Sequence, residues 1–310
     1  MASPDNPHIG FVGAGTLGRG LALALASTGC NVTAVSSRTQ ASAESLAERI
    51  NGCTAMDTAQ NVADACDLVF ITTPDAVISD VAASVNWRDG QGVVHCCGAA
   101  STELLQPAAY AHASVGAMHP FQTFAALSDP AEAARRLSGV TFAVSATGWL
   151  ADYLPSLAQR LDGHAIVIPD ELRPLYHASA VLACGYVTTL LDAAVSLWTR
   201  MGFTEADGVQ AAVPLARATI EAIAVAGPSA AVTGPAVRGD ANTIVAHLAA
   251  LSQHAPELLP LYRQLTQASI PLARAKGVSE ADLVALASIT RGEAGSKNPD
   301  SDNDTKALDN

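Results

Sequence analysis

Basic residues are scarce in this sequence. Lysine and arginine together number 17, against 29 aspartates and glutamates, so the formal net charge at pH 7 is -12. A chain with this balance repels nucleic-acid phosphates and anionic membrane surfaces, so we expect neither nucleic acid nor a membrane as a partner. Only 15% of the 310 residues are charged, whereas 49% are hydrophobic. That composition predicts a compact globular protein long enough for two domains.

Cysteine spacing of the kind that binds zinc is also missing. The six cysteines include the adjacent Cys96 and Cys97 but no Cys-x-x-Cys pair, and we expect no metal site. No secretory segment opens the chain, which predicts a reducing, cytoplasmic location. Cys97 invites a thiol mechanism, but no partner base is identifiable, and a buried, unreactive cysteine is the alternative that we favour.

One segment, Ala180 to Trp198, is apolar enough to raise the question of a membrane span. It contains Thr188, Thr189 and Asp192, and no basic cluster flanks it. These features predict a buried helix of a helical domain instead.

The first forty residues contain the glycine motif Gly13-x-Gly15-x-x-Gly18. A strand is predicted over Ile9 to Val12 and a helix over Thr16 to Ser27, so the glycines fall where a dinucleotide-binding fold turns from strand to helix. Gly13 permits the tight turn, Gly15 lets a pyrophosphate approach the backbone, and Gly18 lets the helix pack on the strand. A flexible glycine turn without a ligand is the alternative.

An acidic residue is absent where NAD-dependent enzymes carry one. In those enzymes a carboxylate about 20 residues after the glycines binds the ribose hydroxyls. Here the second strand is followed by Ser36, Ser37 and Arg38, whose hydroxyls and guanidinium suit a 2′-phosphate, so the predicted cofactor is NADP. The residues that we expect to bind the cofactor are Gly13, Ala14, Gly15, Thr16, Leu17, Gly18, Ser36, Ser37, Arg38, Thr72, Thr73 and Pro74.

Strand and helix patterns alternate through the first half of the chain and give way to alanine- and leucine-rich helical patterns in the second. This predicts an α/β fold: a doubly wound, Rossmann-like domain over residues 1–170, an all-helical domain over 171–292 and a polar tail over 293–310. The predicted strands cover Ile9 to Val12, Val32 to Val35, the vicinity of Cys53, Leu68 to Thr72, Val93 to Cys97, Val140 to Val144 and Ala165 to Ile168. The predicted helices of the second domain cover Arg173 to Met201, Thr204 to Val225, Ala241 to Ser252, Pro256 to Lys276 and Ser279 to Ile289.

Two predicted strands end in polar residues at the carboxyl edge of the sheet, where open parallel sheets bind ligands. Thr72, Thr73 and Pro74 follow the first, and a proline turn capped by Asp75 is the alternative for that segment. His95 lies at the end of the second, where it either binds the substrate or satisfies a buried backbone carbonyl.

A dense polar and aromatic group, Met118 to Phe124, lies between predicted elements. Its imidazole, His119, is a candidate proton donor, because imidazole titrates near neutrality. Its amide, Gln122, is a candidate substrate ligand. His177, near the start of the long helix, is a second candidate donor, and a structural role is the alternative for both histidines.

The loop Val232 to Thr243 is rich in turn-forming residues and leads into a helix. Asp240 is suited to cap that helix. Arg238 is suited to bind a carboxylate with two parallel hydrogen bonds, and a salt bridge to an acidic neighbour is the alternative. We expect Arg238 and Thr243 to contribute to substrate binding.

The glycine turn, His95 to Gly98, His119 to Phe124, Tyr176 with His177, and Thr233 to Asp240 together resemble a bacterial oxidoreductase-like family. That family joins a Rossmann-like domain to a helical domain of unknown function, and the resemblance spans about residues 7 to 290. More distantly, the layout resembles pyrroline-5-carboxylate reductase, ketopantoate reductase and the 6-phosphogluconate dehydrogenase superfamily.

The resemblance implies transfer of hydride between NADP and a C=N or C=O bond of a small carboxylated compound. It also implies a homodimer that forms through the helical domains. The sequence departs from those relatives at two points. Gly185 stands where an asparagine is expected before the aromatic residue of the central helix, and no lysine lies near His177 to match the catalytic lysine of hydroxyacid dehydrogenases. His119 or His177 would have to take the place of the missing lysine. The alternative function is that of a non-catalytic, NADP-binding sensor or regulatory protein.

Overall fold

The computed structural model describes residues 6–291. The polar tail predicted over 293–310 lies outside the described residues. Contacts divide the chain into two compact units, the first ending at Tyr186 and the second beginning at Val187.

The first unit is built on an eight-stranded sheet, which confirms the predicted α/β fold. Its strands follow the order β3-β2-β1-β4-β5-β6-β7-β8, and every neighbouring pair is parallel except the antiparallel pair β6 and β7. The strands are β1 (Ile9–Val12), β2 (Val32–Ser36), β3 (Thr54–Ala55), β4 (Leu68–Ile71), β5 (Gly92–His95), β6 (Ser114–Pro120), β7 (Thr141–Ala146) and β8 (His164–Val167).

Helices cover both faces of this sheet, and the neighbouring strands β1 and β4 are accordingly apolar throughout instead of alternating. All four residues of β4 are buried, and two separate clusters of buried side chains form the cores. The helices of the first unit are α1 (Thr16–Ser27), α2 (Gln40–Ala47), α3 (Ala59–Ala65), α4 (Ile78–Ser84), α5 (Gln106–Tyr110), α6 (Pro130–Arg135), α7 (Leu150–Arg160) and α8 (Arg173–Ala183).

Strand β6 was not expected, because the sequence placed Met118 to Phe124 between elements. The strand contains Gly116 and Ala117 and little of the β-branched content that marks strands, so its local preference is weak. Hydrogen bonding to β5 on one side and to β7 on the other determines its conformation. His119 therefore lies on a strand and not in a loop.

The boundary between the units differs from the predicted one at residue 170. Helix α8 belongs to the first unit, because the guanidinium of Arg173 is fully buried and hydrogen-bonded to the backbone carbonyls of Cys97 and Ala100. The single helix predicted over Arg173 to Met201 is two helices, interrupted at Cys184, where ψ is −72° and φ is −124°.

The second unit is helical, as predicted. Thr204 and Asp207 form a capping box at the start of α10. The helix predicted over Pro256 to Lys276 is divided into a 3-10 turn, Pro256–Leu258, and two helices, since Pro271 lacks the N–H needed to continue the first of them. The helices are α9 (Gly185–Arg200), which begins at the boundary, α10 (Glu205–Ala226), α11 (Pro228–Ala231), α12 (Ala241–His254), α13 (Leu259–Ala268), α14 (Ile270–Ala275) and α15 (Glu280–Arg291).

The predicted burial of the apolar segment Ala180 to Trp198 was wrong. Within the described chain α9 buries only Val195, and α10 buries only Gly208. The segments Asp170–Arg200 and Glu205–Ala226 are long and apolar enough to cross a membrane by length and composition, and they are 6% and 0% buried. A sequence pattern shows that such a face is apolar but not what covers it.

Candidate functional site

The glycine turn joins β1 to α1 as predicted. Gly13 adopts φ +113°, a conformation that side chains disfavour, and a Cβ there would lie 2.8 Å from the backbone carbon of Thr72. A Cβ on Gly18 would collide with the Gly13 carbonyl oxygen and lie 2.5 Å from Thr72 Oγ1. Nothing lies within 4 Å of a Cβ built on Gly15, so this residue faces open space. Each glycine therefore has the surroundings that its predicted task requires.

A cavity of about 630 Å³ opens at this turn. It is lined by nine of the twelve residues predicted to bind the cofactor: Gly13, Ala14, Gly15, Ser36, Ser37, Arg38, Thr72, Thr73 and Pro74. The other three, Thr16, Leu17 and Gly18, do not line it. Six lining residues were missed by the sequence reasoning: Val12, Thr39, Asp57, Ala59, Val77 and Val81. The additional residues follow the ends of strands or belong to helices whose positions only the folded sheet determines.

The polar groups of this cavity fit a phosphorylated dinucleotide. Arg38 is exposed and Ser37 half-buried at the end of β2, which leaves a guanidinium and a hydroxyl available to an anion. The buried hydroxyl of Thr73 has no hydrogen-bond partner among the described residues, as expected of a group that awaits a ligand. The hydroxyl of Thr72 instead donates to the Gly13 carbonyl at 2.7 Å, so its task is to hold the turn.

The contacts of His95 fit the structural role that the sequence left open as an alternative. Its side chain is fully buried at the end of β5. Its Nε2 lies 3.1 Å from the Ser101 carbonyl oxygen, and its Nδ1 accepts from the Cys97 backbone N–H at 3.1 Å. Burial lowers the pKa of His95 to about 4, so the ring is neutral at pH 7. Because both ring nitrogens are occupied, the geometry does not support the predicted contact with substrate.

Cys97 likewise shows the features of a structural cysteine. Its thiol is buried and donates to Asp75 Oδ2 at 3.0 Å. Burial, followed by this hydrogen bond, raises the pKa of the Cys97 thiol, which keeps the thiolate scarce at neutral pH. This agrees with the unreactive alternative for Cys97.

Four residues meet at the carboxyl edge of β5 and β6. His119 Nδ1 and Tyr176 Oη are joined by a hydrogen bond of 2.8 Å, and the rings of His119 and His177 lie 5.8 Å apart in an edge-to-face arrangement. A Cβ on Gly98 would lie 2.5 Å from His177 Nδ1 and 3.0 Å from His119 Nε2. The two predicted proton donors therefore come together over a residue that must lack a side chain. We call His119, Tyr176, His177 and Gly98 the imidazole cluster.

The protonation state of His119 differs from the one that the sequence suggested. Burial, then the charges of His177 and Arg173 and more weakly that of His95, lower its pKa to about 4, against an opposing contribution from Asp75. At pH 7 the ring is therefore a neutral imidazole, which has one N–H to donate. A neutral imidazole acts by donating a hydrogen bond to a developing oxyanion rather than as an imidazolium acid.

The tautomer of His119 depends on which atom donates in its hydrogen bond with Tyr176, whose hydroxyl also lies 3.4 Å from the His119 carbonyl oxygen. When Tyr176 donates its hydroxyl proton to Nδ1, the proton of the imidazole sits on Nε2, the nitrogen that faces Gly98. Burial raises the pKa of the Tyr176 hydroxyl to about 12, so the phenol stays protonated at neutral pH. His177 Nδ1 is buried and has no hydrogen-bond partner among the described residues.

Arg173 was missed by the sequence reasoning. Among residues 6–291 it is the largest of the fully buried side chains, and it lies beside the imidazole cluster at the start of α8. The signal was present, since Arg173, Tyr176 and His177 follow the spacing that puts three side chains on one helix face.

Three predicted substrate ligands remain, namely Gln122, Thr243 and Arg238. The first two make hydrogen bonds to residues near them in sequence, and Thr243 and Arg238 belong to the second unit. Gln122 is exposed, and its Oε1 accepts from the Thr123 backbone N–H at 2.8 Å. The Thr243 hydroxyl donates to Asp240 Oδ2 at 2.6 Å, as part of the cap that Asp240 forms on α12. Arg238 is exposed, and no salt bridge joins it to a carboxylate within residues 6–291.

Comparison with known proteins agrees with this architecture. Residues 3–120 match the model of a Rossmann-like domain, and residues 140–269 match that of a domain of unknown function, DUF2520. No curated protein matches the chain. These two matches agree with the predicted resemblance to a family that joins a Rossmann-like domain to a helical domain of unknown function.

Solved structures with this fold include several oxidoreductases. A putative NADP oxidoreductase from Bacteroides fragilis is 24% identical with a TM-score of 0.64, covering 85% of this chain and 97% of its own. A protein from Thermotoga maritima is 23% identical with a TM-score of 0.70, covering 86% and 99%. A 1-pyrroline-5-carboxylate reductase from Streptococcus pyogenes is 15% identical with a TM-score of 0.59, covering 88% and 99%. At these identities the likeness establishes the fold.

Proposed function

We propose that this protein is an NADP-dependent oxidoreductase that transfers hydride between the nicotinamide and a small carboxylated oxo, hydroxy or imine compound. The observation that carries the proposal is the glycine-lined cavity with Arg38 at one side, at the same sheet edge as the imidazole cluster. Structural relatives that include pyrroline-5-carboxylate reductases and a reductive aminase from Aspergillus terreus in complex with NADPH support the reaction class.

The residues of the chain divide the work of this reaction. NADPH, when bound, would supply the hydride. The residues of the glycine turn would hold its phosphates, and Arg38 with Ser37 would hold the 2′-phosphate. His119 would donate a hydrogen bond to the oxygen or nitrogen that gains electron density, with Tyr176 holding the imidazole in one orientation. The proton that completes the reduction would pass from His119 Nε2 to that atom and be replaced on the imidazole from solvent. Arg238, exposed and without a salt bridge in the described chain, is the proposed ligand of a substrate carboxylate.

Steady-state assays of NADPH oxidation across 2-oxo acids and cyclic imines test the proposal. Ketopantoate and pyrroline-5-carboxylate are the first compounds to try. We expect turnover with at least one carboxylated substrate and a large loss of turnover in His119→Ala. Tight NADPH binding without turnover of any substrate would contradict an enzymatic role.

A sensor that binds NADP without catalysis is the second candidate. The neutral states of His95 and His119 favour it, because neither ring is an imidazolium acid at pH 7. The sensor predicts that His119→Ala and His177→Ala retain cofactor affinity and leave the background rate of NADPH oxidation unchanged. A loss of turnover in either variant would exclude it.

Arg38→Ala is expected to weaken NADP binding selectively. Charge-assisted hydrogen bonds of this kind contribute about 1.5 to 3 kcal/mol, which corresponds to about 10- to 150-fold in affinity. Calorimetric titration with NADP and with NAD measures the effect, and Arg49→Ala, another arginine of the first unit, is the matched control. Equal losses of NADP and NAD affinity in Arg38→Ala would contradict the assignment.

We further propose that the protein is a cytoplasmic homodimer that forms through α9 and α10. Leu215 and Val225 are 72% and 90% exposed on α10, and a second copy would cover both. Leu215→Glu is expected to yield monomers in light scattering, whereas Tyr110→Glu, at an exposed site of the first unit, should not. A monomeric wild type would contradict this proposal.

A further inference from the structure

The first two turns of α8 present three polar side chains at the spacing i, i+3, i+4. They are Arg173, Tyr176 and His177, and this spacing places them on one face of the helix. Tyr176 and His177 belong to the imidazole cluster, whereas Arg173 lies fully buried one turn before them. Because the three residues share one helix face, the position of Arg173 determines where the side chains of Tyr176 and His177 lie.

Arg173 reaches the loop that contains Gly98. Its Nη2 donates to the Cys97 carbonyl at 2.7 Å and its Nε donates to the Ala100 carbonyl at 2.7 Å, so Gly98 lies between two backbone groups held by one guanidinium. Its Nη1 donates to Ser145 Oγ at 3.0 Å. The rigid fork of a guanidinium satisfies these three acceptors together, and a lysine ammonium lacks that shape.

The hydroxyl of Ser145 extends this network to the segment before α8. Ser145 Oγ donates to the Ile168 carbonyl at 2.6 Å while it accepts from Arg173. A separate contact joins the same segment to the loop after Ala100, where Asp170 Oδ2 accepts from the Thr102 hydroxyl and backbone N–H. The second contact holds the segment without touching the carbonyls beside Gly98, so within residues 6–291 the hydrogen bonds that join those carbonyls to α8 come from Arg173.

The charge of Arg173 is buried without an ion pair. No carboxylate lies within 4 Å of it in the part of the chain that the structure describes, and its three hydrogen-bond partners are neutral. Burial lowers the pKa of Arg173, and the charge of Asp170, which acts from beyond ion-pair distance, opposes that effect only in part. Leaving a guanidinium in this state is costly, and structural packing alone is served at lower cost by an apolar side chain. The arrangement is therefore a candidate for a role in the site.

We propose that Arg173 is a positioning residue of the imidazole cluster. It holds the Gly98 loop and the first turns of α8 in one arrangement, so that Tyr176 and His177 meet His119 above Gly98. Its buried charge also gives this part of the sheet edge a positive potential, which suits a neutral imidazole and a substrate that gains negative charge. This role rests on the proposed oxidoreductase function, but the arrangement of the imidazole cluster can be measured in the absence of turnover.

Two variants separate the fork of Arg173 from its charge. Arg173→Lys keeps the charge and loses the fork, and Arg173→Met loses both. The control is Arg88→Met, because Arg88 also donates to backbone carbonyls, those of Ala63 and Cys66, but at the other end of the sheet. The ring signals of His119 and His177 are followed by nuclear magnetic resonance as pH changes, with His119→Gln used for assignment.

We expect both Arg173 variants to shift the ring signals of His119 and His177, since the contact over Gly98 loosens. In Arg173→Met the pKa of His119 should rise, because a charge that lowers it is gone, whereas Arg173→Lys should keep it below the ordinary value. The other charges that act on the pKa of His119, those of His177, Asp75 and His95, are the same in these variants as in the wild type. Arg88→Met should leave these signals unchanged.

Kinetics supply a second measurement once a substrate is known. Misplacement of about 1 Å costs up to about 100-fold in rate, so we expect kcat to fall by about that factor in both variants while the NADPH dissociation constant stays the same. If both variants lose only thermal stability, the result expected of Arg88→Met, and leave the histidine signals unchanged, Arg173 is structural and the proposal fails. If Arg173→Met does not fold, Arg173→Lys carries the comparison. A wild type without turnover would contradict the proposed function but leave the resonance test intact.

Discussion

Replacing Gly15 with valine is expected to abolish dinucleotide binding and leave the fold intact. Gly15 has φ −73° and ψ −179°, an extended conformation that valine adopts readily, and no heavy atom lies within 4 Å of a Cβ built there. The new side chain would instead stand in the cavity, in the space that a pyrophosphate needs to approach the backbone. We expect NADPH affinity to fall by at least about 100-fold, equivalent to about 2.8 kcal/mol.

Calorimetric titration and thermal unfolding without cofactor measure the two halves of this prediction. The ligand-free Tm of Gly15→Val should match that of the wild type. Gly13→Ala is the contrasting variant, because its φ of +113° and the Thr72 backbone at 2.8 Å make even a methyl group costly to the fold. Wild-type NADPH affinity in Gly15→Val would show that the cofactor binds elsewhere.

Gly98→Ala is expected to remove most of the activity without removing the cofactor. The added methyl would lie 2.5 Å from His177 Nδ1 and 3.0 Å from His119 Nε2, so both imidazoles must move. Because a displacement of about 1 Å costs up to about 100-fold in rate, we expect kcat to fall by about that factor. The NADPH dissociation constant should stay the same, since Gly98 does not line the glycine-turn cavity.

Gly185→Ala is the matched control for this variant. A Cβ there would make an ordinary contact of 3.9 Å with Val181 Cγ1, so the same chemical change is made without crowding an imidazole. Turnover and NADPH binding of Gly185→Ala should equal those of the wild type. Full activity in Gly98→Ala would separate the imidazole cluster from the chemistry.

The glycine motif shows what a local pattern can predict. The tasks assigned to Gly13, Gly15 and Gly18 depend on backbone conformation and on the next few residues, and these are set within a short stretch of chain. Nine of the twelve predicted cofactor residues accordingly line one cavity. Asp57, which also lines it, was missed because it lies in no motif and reaches the cavity only through the order of the strands.

The histidines show where such reasoning stops. His95 and His119 both lie near the ends of strands, and the sequence could not tell which was available for chemistry. The distinction depends on partners far along the chain or on burial: Ser101 and Cys97 occupy the ring of His95, whereas Tyr176 approaches His119 from a helix 57 residues away. The low pKa of His119 follows from the same burial, which no local pattern records.

The sequence by itself determined the fold class, the two-domain composition, the position of the glycine turn and the predicted preference for NADP, because each depends on short-range periodicity or on the chemistry of adjacent residues. Only the tertiary structure decided that β6 is a strand, that α8 packs with the Rossmann-like unit, and that Arg173 lies buried beside the imidazole cluster. Those outcomes depend on hydrogen bonds and burial between segments that are distant in sequence, and the free energy of such contacts exists only once the chain has folded.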